Sequence, residues 1–293
     1  MSAEEIDRVS GQRTTGHEWN GITELDTPVP RGILIFIVVT HAFALLWWIL
    51  MPTWPLGSTY TKGILGYDLH QSADQAVLNN AAQRASWTTQ IDALSYDEIQ
   101  ANQPLMTIVK QTGRRLFGDN CAACHGIRGK GNANFPNLTD GDWLWGDGSA
   151  ATIAETMRVG INSAHEETRF AQMPAFGRDQ MLSSTEIRAV ADFVYSLSHP
   201  ANSTPASTQQ IAAGRDLFAA NCAGCHGENA TGNREVGAPN LTDNVWLYGG
   251  DLQTIITTIN GGRQGHMPTW SGRLTPTNIK ILALYVHSLN VSP

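Results

Sequence analysis

Gly113-Arg-Arg-Leu-Phe-Gly-Asp-Asn-Cys-Ala-Ala-Cys-His-Gly126 recurs as Gly214-Arg-Asp-Leu-Phe-Ala-Ala-Asn-Cys-Ala-Gly-Cys-His-Gly227. An offset of 101 residues relates the two stretches. The match runs on through Pro136-Asn-Leu-Thr-Asp and Pro239-Asn-Leu-Thr-Asp, then through Trp143-Leu-Trp-Gly and Trp246-Leu-Tyr-Gly. Solenoid repeats are only roughly 20 to 50 residues long, so this period marks two tandem domains. Each copy ends in an apolar stripe at helical spacing. Ser183-Ser-Thr-Glu186 reads as a capping box ahead of Ile187, Val190, Ala191, Val194 and Leu197. Thr275 caps and Pro276 opens a helix carrying Ile279, Leu282, Val286 and Leu289. Helices are also predicted over Met106 to Asn120 and Ala212 to Asn221, leading into the Cys pairs. Strand-like alternation is absent, so the expected fold class is all-α.

All four cysteines fall in these repeats, as Cys121/Cys124 and Cys222/Cys225, which leaves none for a disulfide framework or a lone catalytic thiol. Each pair is followed at once by histidine, giving Cys121-Ala-Ala-Cys124-His125 and Cys222-Ala-Gly-Cys225-His226. That is the spacing of covalent c-type haem attachment. Two thiols take up the two vinyl groups of one porphyrin, and the adjacent His125 or His226 reaches the iron. A redox dithiol or half of a zinc site would explain one Cys-x-x-Cys, but not two copies with histidine in matched surroundings. The cofactors expected are two covalently bound haem c groups in two tandem cytochrome c domains, 105–200 and 208–293.

An iron that shuttles electrons needs a sixth ligand, and Met opposite His raises the potential. Met173 in Gln-Met-Pro-Ala-Phe lies 48 residues after His125, and Met267 in His-Met-Pro-Thr-Trp lies 41 residues after His226. These two are the candidate iron ligands; a structural core Met is the bland alternative for each. Met157 and Met181 read as ordinary apolar positions. Pro136 and Pro239 offer carbonyls that could orient the imidazoles. Trp143, Trp246, Arg158 and Arg263 are candidate propionate contacts or packing residues. His266 is a rival ligand to Met267, but Gln172 occupies the matching place in the first repeat. His165 reads as a surface residue, with a propionate contact as the alternative.

The chain has 293 residues, 42% of them hydrophobic, long enough for two domains and an anchor. Its net charge of -7 forms no basic stripe, which argues against nucleic acid. Gly32 to Met51 is apolar except for Thr40 and His41, and its length suits a transmembrane helix across about 30 Å of hydrocarbon. A cleavable signal peptide is the rival reading. The long run, the residues before it and the lack of a small-residue cleavage site oppose that. Arg8, Arg13 and Arg31 precede the run and only Lys62 follows it closely, so residues 1–31 are expected to be cytoplasmic. Trp47, Trp48 and Trp54 cluster at its exit end, where indoles favour the membrane interface. His41 is better satisfied against a partner helix than against lipid. Residues 52–104 form a periplasmic linker, with Asp68 to Ala85 a possible amphipathic helix. His199-Pro-Ala-Asn-Ser-Thr-Pro-Ala-Ser-Thr links the two domains. Thioether attachment of haem likewise places the bulk of the chain in the periplasm.

Gly16-His-Glu-Trp-Asn-Gly-Ile-Thr-Glu-Leu-Asp-Thr-Pro-Val-Pro-Arg31, next to one anchor and two haem domains, resembles the CcoP or FixP family. These are dihaem subunits of cbb3-type cytochrome c oxidases. Asn20 and Leu25 depart from the Asp and aromatic residue expected there. The resemblance implies an electron-transfer subunit, not itself an enzyme, in the bacterial inner membrane. It would take electrons from a soluble or membrane-bound cytochrome c donor. They would pass to a monohaem cytochrome c subunit and a catalytic oxidase subunit that reduces oxygen and pumps protons. It also implies exchanged ligands, with Met267 serving the haem at Cys121 and Met173 the haem at Cys222; sequence alone permits both pairings. A stand-alone membrane-tethered shuttle and a dihaem peroxidase are the alternative functions.

Overall fold

A computed structural model describes residues 5–199 and 208–291. Residues up to Gln83 and those from Arg84 onward form two compact units.

The first unit opens with an antiparallel hairpin, β1 (Thr14–Trp19) and β2 (Ile22–Leu25), with Trp19 paired to Ile22 and Glu18 to Thr23. This corrects the expectation of no strand. The alternation is too short and too exposed to register as hydrophobic periodicity, yet Asn20-Gly21 turns the chain with φ of 52° and 85°. Asn-Gly is the pair that a two-residue hairpin turn with two positive φ angles demands. The helix α1 (Arg31–Leu50) follows, a 20-residue run with no buried residue. It would span about 30 Å at 1.5 Å per residue. Thr40 and His41 return hydrogen bonds to carbonyls one turn back, at Phe36 and Ile37, so neither polar side chain is left bare. Asp68 accepts from Tyr60 Oη and from the backbone of His70 and Gln71, starting α2 (Leu69–Ala93), which runs further than the sequence pattern indicated.

Helices build the second unit. After α2 come α3 (Tyr96–Ala101) and α4 (Gln103–Asn120), then the single turn α5 (Ala122–His125) and α6 (Ala150–Val159). The long α7 (Ser184–Ser198) has the expected capping box between Ser183 and Glu186. The linker residues 200–207 lie outside the described residues. The second repeat supplies α8 (Thr208–Asn221), the turn α9 (Ala223–His226), α10 (Leu252–Gly261) and α11 (Pro276–Val291), with Thr275 capping as expected.

Each core mixes the two repeats. Leu105, Val109 and Phe117 of α4 and Ile153 of α6 are buried with Leu282 and Val286 of α11. Phe218 of α8 and Ile255 and Ile259 of α10 are buried with Ile187, Val190 and Val194 of α7. The terminal helices carry equivalent apolar stripes, so either can close either core. A short connection tends to keep consecutive elements adjacent, and α7 accordingly packs on α8. That leaves α4 and α6 to be covered by α11. Burying a side chain such as Leu282, 0% exposed, contributes roughly 1.5–3 kcal/mol.

Candidate functional site

The turn after α4 sets the Cys pair. Cys124 and His125 both donate their N–H groups to the Cys121 carbonyl, at 3.1 and 2.9 Å, so Cys121, Cys124 and His125 stand one helical turn apart on one face. Gly126, with φ of 73°, ends the turn. The second repeat reproduces this around Cys222, with bonds of 3.1 and 3.0 Å. The chain then loops back: Gly131 and Gly232 donate to the carbonyls of His125 and His226, each at 2.8 Å. Gly232 sits at φ 83°, where a β-carbon would stand 2.7 Å from the Ala238 oxygen. This fold-back brings Pro136 O to 3.0 Å from His125 Nδ1, and Pro239 O to 3.0 Å from His226 Nδ1. Each Nδ1–H donates to its carbonyl, which leaves Nε2 free for a metal. Burial lowers the pKa of both histidines, with the proline carbonyl pulling the other way, and so favours the neutral, ligating form. Burial, helped by the neighbouring thiol, pushes Cys121 and Cys222 up to about 11, while Cys124 and Cys225 are exposed.

The methionine segments cross between repeats. Gly160, after α6, leads into Ile161, whose backbone exchanges two 2.9 Å hydrogen bonds with Met267. Gly262, after α10, leads into Arg263, whose backbone exchanges bonds of 2.8 and 3.1 Å with Met173. Both glycines have positive φ, and a β-carbon on either would stand 2.5 Å from the paired methionine's oxygen. Met267 therefore packs against the core holding Cys121, and Met173 against the core holding Cys222. One continuous cavity of about 340 Å³ is lined by His125, His226, Met173 and Met267.

Two imidazoles, two thioethers and four thiols suit a pair of covalently held haems. A further observation fits them: Trp246 Nε1, on the cavity wall, is buried without a hydrogen-bond partner among the described residues, as is Arg169 Nε. Such donors call for an acceptor, and a haem propionate would supply one.

Comparison with known proteins finds cytochrome c domains in this chain. Residues 11–58 match the model for the N-terminal domain of cytochrome oxidase-cbb3, FixP, residues 111–198 that for cytochrome c, and residues 209–286 that for cytochrome c oxidase, cbb3-type, subunit III. The cbb3-type cytochrome c oxidase subunit FixP of Bradyrhizobium sp. (strain ORS 278) is 46% identical over 285 residues, 97% of each chain. The subunit CcoP of Azospirillum brasilense is 43% identical over 296 residues, 99% of each chain, and that of Cereibacter sphaeroides 41% identical over 277 residues, 94% of each. The chain belongs to the FixP/CcoP family of cbb3-type cytochrome c oxidase subunits.

Within this FixP/CcoP chain the remaining sequence candidates separate cleanly. Arg158 pairs with Glu155 and Glu167 at 2.7 and 2.6 Å, and His165 sits beside that ion pair. Met157 is buried in the core and Met181 is exposed. His266 lines the cavity, exposed, with Nδ1 donating to Asn162 O at 2.9 Å. Arg263 lines it too, stacked over Tyr248 at 4.3 Å and donating to Thr258 Oγ1. Trp145, Arg169 and Tyr248 were not singled out by the sequence, although the repeated Trp-Leu-Trp-Gly and Trp-Leu-Tyr-Gly motifs contain two of them.

Proposed function

We propose that this chain is a single-pass, membrane-anchored dihaem cytochrome c subunit of a cbb3-type oxidase. It takes electrons from a donor cytochrome c and passes them toward a monohaem subunit and the oxygen-reducing, proton-pumping subunit. What supports this is the seating of Met267 against the core that holds Cys121, and of Met173 against the core that holds Cys222, beside one cavity lined by His125 and His226, in a chain of this family. Arg31–Leu50 anchors it, with the N-terminus cytoplasmic and the haem domains periplasmic, in line with the arginines that precede α1.

Haem, when bound, supplies a one-electron ferric/ferrous couple. The protein holds and tunes it. Cys121 with Cys124, and Cys222 with Cys225, would form the thioether anchors. His125 and His226 present Nε2 while Pro136 and Pro239 fix the ring planes. Met267 and Met173 would supply thioether sulfurs to the irons, a ligation that favours a raised potential over peroxide chemistry. Apolar side chains such as Val190, Val194, Phe218 and Ile255 keep water from the cavity. Trp246 Nε1 would be available to donate to a propionate.

Purification of the full chain in mild detergent tests the reading. The expected result is co-purification with a b-haem- and copper-containing complex, with two covalent haems per chain and negligible peroxide turnover. Recovery of the chain alone, or substantial peroxide turnover with a high-spin haem, would refute it.

A further inference from the structure

Trp145 and Tyr248 occupy equivalent places in the two repeats, and each ring lies under a guanidinium, Arg169 at 5.1 Å and Arg263 at 4.3 Å. Tyr248 meets Gly265 of its own repeat, whereas Trp145 reaches the other one: a β-carbon on Gly237 would stand 2.5 Å from the indole Cε2 and Cζ2 atoms. Gly237 has φ of 69°, so the chain there is turned to let the indole lie directly on the backbone. The neighbouring Gly146 N–H donates to the Arg234 carbonyl at 3.1 Å, fastening the same two loops together. Each loop also leads back to a histidine. Trp145 follows Pro136, whose carbonyl holds His125, and Gly237 precedes Pro239, whose carbonyl holds His226. Trp145 and Gly237 line the cavity that both histidines share.

We infer that Trp145 is the contact through which an electron passes between the two haem sites. The inference rests on the proposed dihaem function. Electronic coupling falls faster across empty space than through packed atoms, and an indole in van der Waals contact with the facing loop replaces a gap by a π system. One electron leaves one iron, which is oxidised, and arrives at the other, which is reduced. No bond or proton moves, and the indole keeps its own electrons. Arg169 over the ring holds its plane by cation–π attraction.

The test uses the intact detergent-solubilised complex carrying Trp145→Leu or Trp145→Tyr. One haem is photoreduced in a flash and redistribution of the electron between the two is timed by absorbance. Both midpoint potentials and the covalent haem content are measured on the same samples. Redistribution is expected to slow several-fold in Trp145→Leu and to be largely kept in Trp145→Tyr, with both potentials and two haems retained. Should the Leu variant fail to assemble, Trp145→Met gives the same reading. A wild-type rate in the aliphatic variant overturns the role of Trp145, as does a slowing that a shift in the potentials alone accounts for. Fewer than two haems, or no internal redistribution, in the wild-type protein instead overturns the dihaem function beneath it.

Discussion

Gly113 of α4 faces Tyr285 of α11 so closely that a β-carbon on the glycine would stand 2.5 Å from Tyr285 Cβ. The neighbour is the root of a side chain, not its flexible end, so the helices would have to separate. Gly113→Ala is expected to destabilise the protein by about 1–3 kcal/mol, the usual cost of overpacking, despite alanine's better helix propensity. Thermal unfolding of the haem-loaded protein measures this, and a Tm equal to or above wild type would refute the close helix crossing.

Because α11 closes the core that holds Cys121, and α7 the core that holds Cys222, cavity mutations should act across the repeats. Leu282→Ala, at a fully buried site, should cost about 2–5 kcal/mol. Its local damage should fall on the haem at Cys121, although Leu282 follows Cys222 in the chain. Ile187→Ala should do the reverse. Haem methyl NMR shifts, assigned to each site, would report it. Perturbation of the Cys222 haem by Leu282→Ala would sink the crossed assembly.

Ligand substitution makes the same distinction at the iron. Met267→Ala is expected to lower the potential of the haem at Cys121, and Met173→Ala that of the haem at Cys222, with both groups still covalently attached in each variant. A spectroelectrochemical titration reads both couples. Loss of the high potential from the haem in the same repeat as the altered Met would favour the uncrossed pairing, and no change in either couple would remove that Met from the ligand set.

Much of this was legible in the sequence because local chemistry fixes it. The Cys-x-x-Cys-His turns, the Ser183/Glu186 capping box and the apolar stripes of α7 and α11 each depend on residues within a turn or two of one another. What local pattern could not decide is which core each terminal helix closes, since Ile187-Val190-Val194 and Ile279-Leu282-Val286 are interchangeable by spacing and polarity. The crossing is carried by non-local backbone pairs, Ile161 with Met267 and Arg263 with Met173, that leave no mark on either segment alone. The Trp145 to Gly237 contact was hidden for the same reason. The β1–β2 hairpin leaves no trace in the sequence beyond Asn20-Gly21, because its strands bury no apolar face to set up a detectable alternation.

Asp142 gives a pH-dependent prediction. Its carboxyl is raised above the ordinary carboxylate range, first by burial and then by the like charges of Asp243 and Asp140, with Arg234 opposing them. The folded protein thus holds this proton more tightly than the unfolded chain. The associated stability is present at low pH and is lost as pH rises through the folded-state value. At neutral pH the ionised Asp142 is a liability, so Asp142→Asn should raise Tm near pH 7. That gain should vanish at about pH 3, below the usual carboxylate pKa of roughly 3.9, where the wild-type side chain is neutral as well. Residues such as Glu98, Glu186 and Asp251 are shifted downward and lose stability on acidification, but they are common to both proteins and cancel in the difference. Paired melting curves at the two pH values decide it: a gain that persists in acid would mean that the amide acts through packing or hydrogen bonding rather than by removing charge.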